Sequence, residues 1–219
     1  TPYNSLTITT PTYTTTTLTE GTWFWRVRAI DAAGNEGDYS AERTILVDTT
    51  APTGLSISID GGAIYSNTTS VSLSLGATGA TKMRFKNEVA GNWSSYETFS
   101  PDKNWVLSNT QGTRTVYVQL KDDAGNETDG STNDEIILDT QAATALSIEI
   151  DGGATYTNTT VVNLVVTATG ASQMQFKNGA TGSWSGYEPY ATTKSWTLAN
   201  TEGTRTVYVQ FKDAAGNET

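Results

Sequence analysis

The sequence predicts an all-β chain of tandem antiparallel sandwiches. Three observations carry that prediction: a 91-residue internal repeat, a period-two alternation of apolar and polar residues, and a composition rich in Thr, Gly and aromatic residues. The 219 residues include 20 Gly, 10 Tyr and 6 Trp, a mixture that favours strands and tight turns over helices.

The repeat fixes the organisation. Asp60-Gly61-Gly62-Ala63 returns as Asp151-Gly152-Gly153-Ala154, and Trp93, Tyr96 and Trp105 return as Trp184, Tyr187 and Trp196. Residues 56–128 align with 147–219 without a gap, and about 46 of 73 positions are identical. The same spacing reaches the first fifty residues. Asp31-Ala32-Ala33-Gly34-Asn35 stands in register with Asp122-Asp123-Ala124-Gly125-Asn126 and Asp213-Ala214-Ala215-Gly216-Asn217, and Ile45–Asp48 stands in register with Ile136–Asp139. Three units are therefore expected. Residues 1–49 read as the C-terminal part of one sandwich, 50–140 as a complete sandwich, and 141–219 as a sandwich lacking its last strand. The expectation is a segment of a longer repetitive polypeptide.

Within a unit, Val71, Leu73 and Leu75 alternate with Ser72 and Ser74. Met83 and Phe85 alternate with Lys82, Arg84 and Lys86, and Val116, Val118 and Leu120 alternate with Tyr117, Gln119 and Lys121. Each run reads as a strand with one buried face. Leu55–Ile59, Trp93–Thr98, Asn104–Leu107 and Glu135–Asp139 are further strand candidates. About seven short antiparallel strands in about 90 residues fit a two-layer sandwich of the immunoglobulin type.

The run Gly21-Thr22-Trp23-Phe24-Trp25-Arg26-Val27-Arg28-Ala29, followed by Asp31–Asn35, resembles the penultimate strand and following turn of a bacterial fibronectin type III domain. The two later units resemble the bacterial immunoglobulin-like repeats of long secreted and cell-surface proteins, most clearly at Thr115–Asp122 and Thr206–Asp213. The resemblance implies tandem immunoglobulin-like antiparallel β-sandwiches serving as spacers, adhesin stalks or accessory domains of enzymes.

Composition excludes several chemistries. With no Cys and no His there is no thiolate nucleophile, no zinc–cysteine site and no serine–histidine triad. A net charge of −10 repels phosphate backbones and anionic lipid, so neither nucleic acid nor a membrane surface is an expected partner. No run approaches the roughly 20 apolar residues of a membrane span.

Two groups of residues remain as candidate sites. The Asp-x-Ala-Gly-Asn sequences fit tight turns, in which Asp caps and Gly and Asn adopt positive φ. Asp48, Asp122, Asp139 and Asp213 also offer oxygen ligands near the linkers, so hard cations remain permitted and calcium is the main candidate. Such a site would have to assemble from separate loops at a domain junction. Trp93, Tyr96, Trp184 and Tyr187 are candidates for a glycan-stacking platform, with core packing as the alternative. Trp105 and Trp196 read as inward-facing. The carboxylates repeat with the fold and do not cluster once, which argues against an acid–base pair for hydrolysis. Asn-x-Ser/Thr sequons stand at Asn67, Asn92, Asn126, Asn158 and Asn217. Lys82, Lys86 and Lys121 lie on the outward alternation, which argues against a Lys–Asn crosslink.

The expected role is a non-catalytic structural repeat of an extracellular stalk, adhesin or surface fibre, contacting neighbouring repeats or chains of the same protein. The alternatives are a carbohydrate-binding or accessory module of a secreted carbohydrate-active enzyme and a strand-exchanged filament subunit. Pro52 is expected to stiffen the first linker, and Ala143, at the equivalent position, to leave residues 140–144 easier to bend.

Overall fold

The computed structural model describes residues 6–10 and 12–219. The first unit contributes one antiparallel hairpin, β1 (Gly21–Trp25) with β2 (Arg43–Val47), paired from Gly21↔Val47 to Trp25↔Arg43. Trp25, Val27 and Ile45 stand where the second unit places Val116, Val118 and Ile136. All three are exposed in the first unit.

The second unit is a two-sheet sandwich. Its strands are β3 (Thr53–Ile59), β4 (Tyr65–Ser66), β5 (Ser70–Thr78), β6 (Lys82–Asn87), β7 (Glu97–Thr98), β8 (Asp102–Val106), β9 (Gly112–Lys121) and β10 (Asn133–Leu138). One sheet runs β3-β5-β8 and the other β4-β10-β9-β6-β7. The alternation of β5 turns Val71, Leu73 and Leu75 inward against Met83 and Phe85 of β6 and Val116, Val118 and Leu120 of β9. Burying each such side chain contributes about 1.5–3 kcal/mol, which is what holds the sheets face to face. Trp105 tilts onto Phe85, with ring centroids 5.3 Å apart, and its Nε1–H donates to Asn87 Oδ1 at 2.7 Å.

The third unit repeats the plan with β11 (Thr144–Ile150), β12 (Val161–Thr169), β13 (Ala171–Asn178), β14 (Glu188–Pro189), β15 (Thr193–Thr197) and β16 (Val207–Asp213). A single 3-10 turn, Asp151–Gly153, follows β11. The sheets run β11-β12-β15 and β14-β13-β16 around Val162, Leu164, Val166, Met174, Phe176, Val207 and Phe211. Trp196 repeats the Trp105 arrangement against Phe176 and Asn178. Tyr156, the counterpart of Tyr65, is 91% exposed, against 39% for Tyr65.

Two details depart from the sequence reading. The pairing of β4 with β10 is parallel, the one exception to antiparallel order among the named strands. Of the candidate strand at Trp93–Thr98 only Glu97 and Thr98 pair with β6. The preceding residues are held instead by Ser94, whose N–H donates to the Phe85 carbonyl at 2.8 Å and whose Oγ accepts from Phe85 N–H at 3.0 Å.

Candidate functional site

The outward face of the β6–β9 pair is where sequence and geometry concentrate charge beside aromatic rings. Alternation places Arg84 and Lys86 of β6 opposite Gln119 and Tyr117 of β9. The Ser94 anchor folds residues 88–96 back over this face and lays Trp93 and Tyr96 onto it. Cations and rings then interleave. Lys86 Nζ sits 5.0 Å from the centroids of both Tyr117 and Trp93. The Arg84 guanidinium lies 5.3 Å from Trp93 and 4.4 Å from Tyr96, and Lys121 Nζ lies 4.9 Å from Tyr96. Each cation–ring pair of this kind contributes about 0.5–1 kcal/mol at a partly exposed site.

Glu127 closes the ladder, 3.0 Å from Lys121 Nζ and 3.6 Å from Arg84. The hydrogen bond from Lys121 holds the Glu127 carboxyl below its ordinary range. Burial lifts the Tyr96 phenol above its own, with Arg84 pulling the other way and Glu127 adding to the rise. A glycine completes the packing: at Gly130, a Cβ would come within 2.9 Å of the Trp93 ring.

In the third unit Lys177 stands over Trp184 and Tyr208 at 4.6 and 5.3 Å, and Lys212 over Tyr187 at 4.1 Å. Gln175 occupies the position of Arg84 and donates to Gln210 Oε1 at 2.7 Å. Among the described residues no cation therefore bridges Trp184 to Tyr187, and Trp184 is 38% exposed. The four candidate stacking residues thus lie on one type of surface, the outer face of the sheet, each with a lysine or arginine over its ring. Sequence alternation exposed the cations but gave no sign that Trp93 and Tyr96, nine and twelve positions after Arg84, fold over them.

The four aspartates divide between two joints. Asp122 accepts at Oδ1 from Gly125 N–H (2.7 Å) and Asn126 N–H (2.9 Å), and at Oδ2 from Asn126 Nδ2 (2.9 Å). Asp213 accepts from Asn217 N–H and Nδ2, both at 2.9 Å. Burial acts to raise the Asp122 carboxyl, and the Asn126 hydrogen bonds overcome it, so the group sits below its ordinary range. Asp48 and Asp139 each accept at Oδ1 from a linker N–H, of Thr50 and Gln141 respectively, at 3.0 Å. Among the described residues no three carboxylates gather in a group that would hold a metal ion.

The chain is similar to solved tandem sandwich modules. These include the fibronectin(III)-like modules of Clostridium thermocellum CbhA, at 14% identity and a TM-score of 0.47 over 74% of this chain and 88% of that one. A tetra-tandem repeat from the extending region of a large adhesion protein matches at 22% identity and a TM-score of 0.34, over 92% of this chain and 55% of that one. The BSP domain of a biofilm-associated protein matches at 15% identity and a TM-score of 0.27, over 74% of this chain and 27% of that one. No family model and no curated protein matches the chain. No helix among the described residues is long and apolar enough to cross a membrane.

Proposed function

We propose that the chain is a non-catalytic structural repeat segment of an extracellular stalk, adhesin or surface fibre. The observation that carries this reading is the duplication of one complete design. The second and third units bury separate cores from matching residues, Phe85 with Phe176 and Val116 with Val207, and are joined through a short linker. An array whose units each fold around their own core gains length by copying a unit. Asp122 and Asp213 are engaged by backbone N–H groups of their own turns, and Glu127 and Glu218 by Lys121 and Lys212, an arrangement that stabilises the fold. Trp93 and Tyr96 act as rungs holding a loop to its sheet, which favours the stalk over a carbohydrate-binding module.

The test is made on the native source. Antibodies raised against residues 50–140 are expected to label intact cells or secreted fibres, and protease treatment without lysis is expected to remove the label. Peptide mapping of the mature polypeptide is expected to find further 91-residue units. Signal confined to the cell interior overturns the reading.

A further inference from the structure

One carboxamide in each Asp-x-x-Gly-Asn turn does more than close the turn. Asn126 Nδ2 carries two hydrogens. One goes to Asp122 within the turn, and the other leaves the unit to reach the Asp48 carbonyl in the preceding linker at 3.1 Å. Asn217 repeats the pattern, with Asp213 inside the turn and the Asp139 carbonyl outside it at 2.8 Å, and it also approaches the Gln141 carbonyl at 3.4 Å.

The preceding unit grips the same linkers from its own side. Gln111 Oε1 accepts from Thr140 N–H at 2.9 Å, and Gln111 Nε2 donates to Thr140 Oγ1 at 2.8 Å. At the first linker Glu20, the repeat counterpart of Gln111, accepts from the hydroxyls of Thr49 at 3.0 Å and Thr50 at 2.9 Å. Asp139 N–H donates to the Ser66 carbonyl at 2.9 Å, tying the start of the second linker to the second unit as well. Ala143, two residues past Gln141, is buried in the core of the third unit.

We propose that these groups form a joint lock: the Asn of each turn and the Gln or Glu of the preceding unit hold the linker from both ends and fix the angle between successive units without an ion. Residues 139–141 are hydrogen-bonded to both flanking units, so no free stretch of backbone separates them. The second linker, without a proline, carries hydrogen bonds from both flanking units as the first does. The oxygens that a calcium ion at the joint would recruit, the Asp213 carboxylate and the Asp139 carbonyl, already accept hydrogen bonds. Because each unit carries both halves of the lock, copying a unit copies a joint. The lock deepens the stalk reading and rests on it for its purpose, which is stiffness.

The absence of cysteine makes the test direct. Val89→Cys and Val161→Cys, at exposed positions of the second and third units, accept a pair of spin labels for pulsed distance measurement. The expected result is one narrow distance distribution, unchanged by added calcium or by EGTA. Asn217→Ala and Gln111→Ala are each expected to widen it by about twofold, since each removes linker hydrogen bonds and frees backbone dihedrals. Asn217→Ala also loosens its own turn. Gln111→Ala, whose side-chain hydrogen bonds both go to Thr140, reads the joint alone and is expected to leave the melting of both units unchanged. A broad distribution in the parent protein, widening with EGTA, or an unchanged width in Gln111→Ala overturns the lock. A flexible joint of that kind leaves the stalk reading standing as a chain of loosely strung units, whereas an intracellular location would overturn the stalk and leave the measured joint intact.

Discussion

Asn217 donates through Nδ2 to the carbonyl of Asp139, 78 residues earlier, at 2.8 Å. Asn126 makes the same bond to Asp48 across the same separation. These two carboxamides are expected to show slowed side-chain N–H exchange by NMR, while the exposed Asn92 exchanges freely. Equal exchange at all three would show that the bonds are not populated in solution.

Phe85 is fully buried at the centre of the second core, and Trp105 packs on it. Phe85→Ala is expected to destabilise the second unit by about 3–5 kcal/mol through lost transfer energy and a cavity. Urea unfolding followed by tryptophan fluorescence should then show two transitions, with that of the third unit unmoved. A joint shift of both would mean that the units unfold as one.

Arg84 fills a position where the third unit has Gln175. Arg84→Gln should cost about 1 kcal/mol in the second unit by removing the rung between Trp93 and Tyr96. Acrylamide quenching of Trp93 should rise toward that of Trp184. Unchanged quenching would show that the loop is held without the guanidinium.

The bulge that opens β3 has Gly54 at φ +65°, and its copy in β11 has Ala145 at φ +52°. The left-handed region costs a non-glycine residue about 1–2 kcal/mol, and glycine's greater unfolded-state freedom offsets part of the relief. Ala145→Gly is therefore expected to stabilise the third unit by about 0.5–1 kcal/mol in thermal unfolding. A loss of stability would contradict it.

Asp31, Asp122, Glu127 and Glu218 all titrate below their ordinary values. Asp31 is held down first by the Asn35 side chain, and Glu127 and Glu218 first by Lys121 and Lys212. A depressed folded-state pKa adds stability above the unfolded value, near 4, and that stability is lost as pH falls through the folded value. The melting temperature is expected to be level near neutrality and to fall below about pH 4. The fall should be shallower in Asp122→Asn.

Much of this architecture was legible because it is periodic. Val116, Val118 and Leu120 announce a half-buried strand by spacing alone, and the Asp122 turn follows from local chemistry within four residues. The ladder was less legible. It depends on Ser94 bonding back to Phe85, a contact that no alternation pattern encodes, and so Trp93 read as the start of a strand. The joints were least legible, since Asn126 finds its partner in the neighbouring linker only after two units have folded.

On the stalk reading proposed above, tension would enter the second unit at β3 and leave it at the end of β10. The parallel patch of β4 and β10 is held by Ile137 N–H bonded to the Ile64 carbonyl and Asp139 N–H bonded to that of Ser66. A load drawing Tyr65 backward and Leu138 forward slides one strand lengthwise past the other, so these bonds must yield together and cannot unzip one at a time.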